Sequence, residues 1–324
     1  MAPDDAADVD LDLLRSSARD FLADRGEKDS VEDLAQLDWT SLLVDEQYGG
    51  AGWLPVETVV VAEELGRAGD RSPWFGTTMA AAALASAPAE IRDRWLPSLL
   101  DGTVRAGLAS AGSTVRVTNA DALRLVVTLG SDGIHAFELS DTTSSSRDDE
   151  LLDVDRPAWR IELAGTEGVR VGETERAHRL LAVGRVLLSA DSLGALATTF
   201  ERLVAYLKER IAFGAPIASF QAVQHRLVDL LVLEAKARAV IMKAARSLVS
   251  DEVTGEAIAL CAAAHAFVTA NAAGAVDECM QLSGGIGFTW EYPLHNELRR
   301  VFTNAHLLGT ARSSRSAYAA EVGW

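Results

Sequence analysis

The chain has few of the residues from which a cross-linked or metal-built protein is made. Only two of its 324 residues are cysteine, Cys261 and Cys279, and they do not form a C-x-x-C pair. Its six scattered histidines show no ligand spacing. The sequence therefore predicts neither a disulfide scaffold nor a metal site, and it is typical of a protein from a reducing cytoplasm.

Basic charge is also scarce in this chain. Asp and Glu number 47 against 30 Lys and Arg, which gives a net charge of −17. Residues 1–70 hold 18 of the acidic residues and only five of the basic ones. Because nucleic acid is itself a polyanion, this charge balance excludes a nucleic-acid-binding function.

The sequence predicts neither a signal peptide nor a membrane span. Its first eight residues are acidic, and no basic segment followed by an apolar one begins the chain. The one long weakly polar run, residues 258–276, is rich in alanine and includes His265, Thr269 and Asn271, which lipid would tolerate poorly. We therefore expect a cytoplasmic protein without a membrane partner, in which this run is a buried helix.

Apolar residues recur at helical spacing in both outer thirds of the chain. In the first third, such patterns cover residues 9–22, 54–65, 77–87 and 89–100. In the last third, long patterns begin near Ala190, Ser219, Gly255 and Leu294, and the fourth is interrupted at Gly309. Four long helices of this kind predict a helical bundle.

The middle of the chain has the sequence pattern of β-strands. Short runs rich in β-forming residues, at 123–129, 133–139 and 159–163, are separated by Gly, Asp, Ser and Pro. The whole pattern predicts an α+β fold that is mainly helical. We expect an N-terminal helical domain (1–101), a small antiparallel β domain (102–187) and a C-terminal four-helix bundle (188–324).

Three separated motifs occur in the order in which one known family has them. They are Asp45–Gly52 (DEQYGGAG), Arg210–His225 (RIAFGAPIASFQAVQH) and Gln281–His295 (QLSGGIGFTWEYPLH). Together they resemble the acyl-CoA dehydrogenase family over nearly the whole chain, and Glu63–Arg67 (EELGR) follows the first motif, as it often does in that family. The resemblance implies an FAD-dependent oxidoreductase that removes hydrogen from the α and β carbons of acyl-CoA thioesters.

The second and third motifs have the chemistry of an anion-binding site. Arg210 has a planar, permanently charged guanidinium, and glycines let backbone N–H groups approach an anion closely. The resemblance implies that both motifs come from one subunit and bind the FAD of its neighbour. It assigns FAD contacts to Arg210, Phe213, Gln221, Gln281, Gly284 and Gly285. From the residues alone, the alternative is that Arg210 caps its own helix and the glycines end helices.

The family reaction needs a carboxylate that removes the α-proton, and the resemblance gives two positions for it. One directly precedes a Gly-Thr pair, here Gly309-Thr310, and is Leu308 in this chain. The other lies just before the helix that leads to Arg210 and is Gly184. Leucine has no group that can accept a proton, and glycine has no side chain. We therefore predict that the catalytic glutamate is missing.

Other ionisable residues near the motifs are weaker candidates for the base. Glu291, in the third motif, is one substitute. His306 lies two residues before Leu308, although a histidine at such a position is more often structural. The remaining candidates are predicted to be structural or solvated: His225, His295 and the pair Asp277-Glu278.

The missing glutamate is typical of one subgroup of the family that this chain resembles. In actinobacterial heterotetramers that degrade steroids, one subunit type carries the base and the flavin loop, and the other is shortened. The segment Ala106–Val115 is likewise shorter than the flavin-binding loop of many members. We therefore predict the base-lacking subunit of an α2β2 acyl-CoA dehydrogenase that acts on bulky, steroid-derived thioesters, with electron-transferring flavoprotein as acceptor by family analogy.

Two other functions stay open from the sequence. The chain could be a self-sufficient acyl-CoA dehydrogenase, or a related flavin monooxygenase, that uses a different base. It could also be a non-catalytic scaffold or an acyl-CoA-binding partner. The flavin content of the chain alone separates the first alternative from the split-site prediction, and the effect of Arg210→Ala on the flavin content of a complex separates the second.

Overall fold

The computed structural model describes residues 3–25, 29–119, 123–149, 153–250 and 252–324, with only the backbone given for residues 3–9. Helices dominate both ends of the chain, as the apolar periodicity predicts. They are α1 (Pro3–Asp24), α2 (Glu32–Ala35), α3 (Pro55–Ala68), α4 (Trp74–Leu84), α5 (Ala89–Leu100), α6 (Thr174–Glu209), α7 (Gln221–Ser247), α8 (Gly255–Ser283), α9 (Leu294–Leu307) and α10 (Ala311–Glu321).

Strands occupy the middle of the chain, apart from two short pairs elsewhere. They are β1 (Leu43–Val44), β2 (Gly52–Trp53), β3 (Arg105–Ser110), β4 (Thr114–Thr118), β5 (Leu123–Gly130), β6 (Gly133–Glu138), β7 (Ser145–Arg147), β8 (Ala158–Glu162), β9 (Gly168–Gly172), β10 (Ile211–Ala212) and β11 (Ala215–Pro216). This order of helices, strands and helices confirms the predicted mainly helical α+β class.

Local sequence sets the ends of several helices. Pro55 lies in the first turn of α3, where its missing N–H costs no hydrogen bond. The hydroxyl of Thr254 accepts a hydrogen bond from the N–H of Ala257 at 3.2 Å and caps α8. Thr310 and Ser313 form a reciprocal capping box at the start of α10. Gly309, between α9 and α10, adopts a positive φ of 107° and separates the two helices.

The β domain consists of two small sheets with strand orders β3-β5-β6-β9 and β4-β8-β7. Their facing side chains form a small apolar core that includes Val115, Val117, Val126 and Ile161. One pair, β3 with β5, runs parallel, although the sequence predicts an antiparallel domain. The reason is that β4 crosses to the second sheet, so β5 returns to the first sheet in the direction of β3.

The first helix of the bundle begins much earlier than the sequence predicts. Strand β9 ends at Gly172 and α6 begins at Thr174, so the expected domain boundary at 187 falls inside a helix. The first turn of α6 is polar, and the following runs Leu180–Val183 and Val186–Leu188 are as apolar as a buried strand. A short apolar run does not by itself distinguish these two structures.

Helix α6 is the centre of the molecule and contacts α3, α7, α8 and α9. Its contact with α3 depends on two glycines. A Cβ on Gly194 would lie 1.9 Å from the carbonyl oxygen of Glu63, and one on Gly66 would lie 2.1 Å from that of Asp191. The two backbones therefore approach too closely for any side chain at these two positions.

Among the residues that the structure describes, two helices are long and apolar enough to cross a membrane by composition alone. They are α6 and the segment Gly255–Phe288, which contains α8. Within the fold, 83% of the apolar window of α6 and 50% of that of the second segment are buried. Both helices thus use their apolar residues in the bundle, as the core helices of a soluble protein do.

Candidate functional site

The two positions that the family resemblance gives for the base lie against each other. A Cβ placed on Gly184, in α6, would lie 2.6 Å from Cδ1 of Leu308, at the end of α9. The next nearest atoms belong to Met79 and Phe75, at 3.5 and 3.7 Å. Leu308 is 1% exposed. The fold therefore brings both positions to one buried, apolar place, which the side chain of Leu308 fills.

The positively charged side chain of Arg185 lies beside Leu308. Arg185 donates a hydrogen bond from Nε to the carbonyl oxygen of Leu308 at 3.0 Å, and burial lowers the pKa of Arg185. His306 is exposed, and its Nδ1 lies 2.7 Å from the carbonyl oxygen of Phe302 one turn earlier. This geometry is that of a structural histidine on the outside of α9.

Glu291 does not lie at the base position. It is exposed and precedes α9, whereas Leu308 follows that helix, and a helix of 14 residues is about 20 Å long. Hydrogen bonds from its own backbone and from Thr289 lower the pKa of Glu291. A base for an α-proton needs a raised pKa, so both position and electrostatics disfavour Glu291 in that role.

The six residues assigned to FAD lie on two segments that meet at one end of the bundle. The first is the end of α6, the β10–β11 hairpin and the start of α7, and the second is the end of α8 with the Gly284–Phe288 turn. An ion pair between Arg226 and Glu278 joins α7 to α8. The rings of Tyr206 and Tyr292 lie 5.9 Å apart and join α6 to the residues after the turn.

All six of these residues are exposed, and their polar side chains bond to no described residue: Arg210, Phe213, Gln221, Gln281, Gly284 and Gly285. Arg210 is the C-cap residue of α6, and its backbone N–H donates to the carbonyl oxygen of Tyr206 at 2.9 Å. No described residue accepts a hydrogen bond from its guanidinium, which is therefore not used in the cap. A Cβ on Gly284 or Gly285 would meet nothing within 4 Å. Phe213 is 100% exposed at the hairpin tip, in a left-handed conformation with φ 52°.

These features fit an anionic cofactor that reaches the segments from outside the chain. An unpaired guanidinium and two open glycine backbones can bind a diphosphate, and an exposed aromatic ring can pack against it. The side chains point away from the chain's own interior. The residues at this end of the bundle could therefore hold an anionic group of a cofactor.

A buried network of charged side chains lies where the three domains meet, and the sequence analysis missed it. Arg300, in α9, binds Asp191, in α6, in a bidentate pair through Nε and Nη2, with the Nε–Oδ1 distance at 2.8 Å. Arg300 also donates to the carbonyl oxygen of Asp70 at 2.6 Å. Asn304 donates to Asp191 at 2.6 Å, and Arg156 of the β domain donates to Asn304 at 3.0 Å.

Asp191 and Arg300 hold each other in the ionised form. Burial opposes the ionisation of Asp191, but the guanidiniums of Arg300 and Arg156 keep its pKa below the ordinary value. For Asp70, burial outweighs its hydrogen bond with Ser72 and its ion pair with Arg25, and its pKa is raised. Asp191 is the one charged residue between Arg185 and Glu201, in a run of mostly apolar residues, and this is a local signal that a buried partner exists.

The space beside this network is too small for a flavin ring. A cavity of about 30 Å³ is lined by Phe75, Gly107, Leu307 and Arg300, among others. This volume is about that of one water molecule, whereas cofactor pockets measure about 300–1,000 Å³. The segment Ala106–Val115, predicted to be a shortened flavin loop, forms most of β3, a turn at residues 111–113 and the start of β4.

Comparison with known families identifies the class of protein that this fold and site define. The model of the acyl-CoA dehydrogenase C-terminal domain matches residues 174–323, and that of the N-terminal domain matches residues 10–103. Acyl-CoA dehydrogenase IpdE2 of Mycobacterium tuberculosis is 33% identical over 302 residues, which are 93% of this chain and 89% of that protein.

Solved structures with the same architecture include two complexes. A variant of the Tcur3481-Tcur3483 steroid ACAD is 25% identical with a TM-score of 0.81, over 97% of this chain and 98% of the other. The ChsE4-ChsE5 complex from Mycobacterium tuberculosis is 21% identical with a TM-score of 0.79, over 97% and 95%. The second likeness shows the shared fold.

The chain belongs to the acyl-CoA dehydrogenase family, whose members are FAD-dependent oxidoreductases of acyl-CoA thioesters. Within that family it resembles the subunits of steroid-CoA dehydrogenases. The sequence-based identification of the family and of its cofactor, FAD, is thereby confirmed.

Proposed function

We propose that the chain is the base-lacking subunit of a heterotetrameric, FAD-dependent acyl-CoA dehydrogenase. One observation carries this proposal: the two positions for the base are buried and closed, whereas the FAD-binding residues are exposed and unpaired. A self-sufficient enzyme needs an open site at the position of the base as well as residues that bind FAD. A subunit that completes a partner's site needs only the residues that bind FAD.

In this role the chain binds and orients the cofactor and leaves proton removal to the partner. Arg210 would pair with the FAD diphosphate, and the Gly284 and Gly285 backbone would lie against it. Phe213 and the amides of Gln221 and Gln281 would contact the cofactor at the hairpin and at the end of α8. FAD, when bound, accepts the hydride that leaves the β-carbon of the substrate.

The substrate class follows from the assembly that we propose. If this chain's own site is closed, a larger acyl group can be accommodated in the neighbouring one, and a similar structure is a steroid ACAD. We expect the complex to oxidise a steroid-derived acyl-CoA faster than octanoyl-CoA. A preference for octanoyl-CoA in steady-state assays would contradict this part of the proposal. By family analogy, a cytoplasmic electron-transferring flavoprotein accepts the electrons.

The first test is the flavin content and native mass of the chain, expressed alone and then together with a candidate full-length partner. We expect flavin only in the coexpressed complex, at about one FAD for every two chains. If the chain alone is yellow and dehydrogenates acyl-CoA, the split-site proposal is wrong and the self-sufficient enzyme is correct.

A pair of variants separates a cofactor-binding subunit from a scaffold. Arg210→Ala in the coexpressed complex should lower the flavin content several-fold, since it removes a charge-assisted contact to the diphosphate. Arg124→Ala is the matched control, because Arg124 is also exposed and pairs with no described residue. An unchanged flavin content in both variants would favour the scaffold.

A further inference from the structure

A second cavity adjoins the buried charged network where the three domains meet. Its volume is about 340 Å³, whereas the cavity beside Leu307 measures about 30 Å³. The larger volume is within the range of small-molecule sites. The turn after α3, the segment before β8, helix α6 and the start of α9 all contribute to its wall. Six charged residues line it: Arg71, Asp153, Asp155, Arg202, Glu297 and Arg300.

Hydrogen-bond acceptors in this wall lack donors. Glu297 is 8% exposed, and its Oε1 accepts a hydrogen bond from Nη1 of Arg202 at 2.7 Å. Its Oε2 is buried and accepts none from the described part of the chain, and the same is true of Oδ1 of Asn296. The carboxylate of Asp155 also bonds to no described residue. Because an unpaired buried acceptor is unfavourable, these groups favour a ligand that carries N–H donors.

Two arginines in the wall keep donors that the chain does not use. Arg71 pairs through Nε with Asp29 at 2.8 Å, and Arg202 donates through Nη1 to Glu297. The other N–H groups of these two guanidiniums bond to no described residue. Arg300 differs, since it donates through all three of its guanidinium nitrogens inside the buried network. The cavity therefore offers unused groups of both charge signs.

We propose that this cavity binds a small zwitterion that carries an ammonium group and a carboxylate, which is the chemistry of a free amino acid. The ammonium group would donate to Glu297 and Asn296, and the carboxylate would accept from Arg71 and Arg202. Glu297 and Asp155 would repel a simple anion, and the two arginines would repel a simple cation. Among the described residues, no group of three His, Cys, Asp or Glu side chains could hold a metal ion.

This site goes beyond the proposed role in flavin binding and does not depend on it. It uses none of the residues assigned to FAD. A ligand held here would contact all three domains and would stabilise the folded chain over the unfolded one. Failure of the flavin proposal changes flavin absorbance, whereas failure of this proposal changes the heat of titration with the zwitterion, so the two results are distinguishable.

The first experiment is isothermal titration of the chain alone and of the coexpressed complex. The probes are glycine, 3-aminopropanoate, 4-aminobutanoate and 6-aminohexanoate, whose lengths measure the separation of the two charged groups. For each probe, the controls are the carboxylic acid and the alkylamine of the same length. We expect at least one probe to bind at one site per chain, at least tenfold more tightly than both of its controls. Absence of binding by all four, or equal binding of a control, would overturn the proposal.

The second experiment removes the acceptors. Asp155→Asn changes a carboxylate that makes no bond to the described chain, so the variant should fold and bind the best probe several-fold more weakly. The matched control is Asp141→Asn, at an exposed residue outside this cavity that also bonds to no described residue. Glu297→Gln should raise the dissociation constant about tenfold, with thermal unfolding as the check that it folds. Equal affinity of the Asp155→Asn and Asp141→Asn variants would overturn the proposal, whether or not Glu297→Gln folds.

Discussion

The two ends of α9 have opposite properties. Near Leu308, at its C-terminal end, the place of the base is buried and apolar, and a network of arginines and carboxylates fills the adjacent interior. Beyond its N-terminal end, Gly284 and Gly285 are exposed, and so is Arg210, whose guanidinium pairs with no described residue. One of the two regions is closed, and the other is directed outward. The proposed role as a base-lacking, cofactor-binding subunit rests on this contrast.

The largest effect on stability should come from the buried network that includes Arg300 and Asp191. Arg300→Met leaves Asp191 without its bidentate partner, and we expect the free energy of unfolding in urea to fall by about 3–5 kcal/mol. Arg170→Met, in the exposed pair with Glu173, should cost less than about 1 kcal/mol. Equal losses in the two variants would mean that the buried network does not hold the domains together.

Because Leu308 packs against Gly184, we expect substitutions of the two residues to have coupled effects on stability. Leu308→Ala should destabilise the chain by about 2–4 kcal/mol because it leaves a cavity. Gly184→Ala in the wild-type chain should also destabilise it, since the new Cβ overlaps Leu308. In the Leu308→Ala background, Gly184→Ala should be neutral or stabilising. Additive losses in urea titrations would show that the two residues do not touch.

A buried histidine near Arg185 makes the free energy of unfolding depend on pH. Burial lowers the pKa of His265 to about 3, with a smaller contribution from Arg185, and its Nδ1 lies 2.8 Å from Oγ of Ser314. The unfolded chain takes up this proton below pH 6.5 and the folded chain does not, so stability falls between pH 6.5 and pH 3.

The variant His265→Gln isolates this contribution. Between pH 7 and pH 5, wild type should lose about 2 kcal/mol more of its free energy of unfolding than the variant does. Thermal or urea unfolding at the two pH values measures the difference. The same loss in both proteins would show that His265 already carries a proton in the folded state.

The smallest effect should come from the exposed end. Phe213 touches little within its own chain, so Phe213→Ala should change the free energy of unfolding of the isolated chain by less than about 0.5 kcal/mol. In the coexpressed complex the same variant should lower flavin retention during dialysis. A large loss of stability in the isolated chain would mean that the hairpin is part of this subunit's own core, and the contrast between the two ends would disappear.

Much of the fold could be predicted because it is encoded locally. Helices α3, α5, α7 and α8 lie close to their predicted positions, since their apolar periodicity and end signals are present within a few neighbouring residues. The start of α6 and the parallel β3–β5 pair were missed. The first lies in a short apolar run that suits a helix or a strand, and the second depends on how β4 crosses between sheets.

The sequence by itself determined the family, the motifs and the identities of Leu308 and Gly184, because these depend only on which residues occur and in what order. The tertiary structure decided that those two residues touch, that Arg300 reaches Asp191 across 109 positions, and that Arg210 faces outward. Contacts of that separation depend on how α6, α9 and the β domain pack together, and no local pattern in the chain records them.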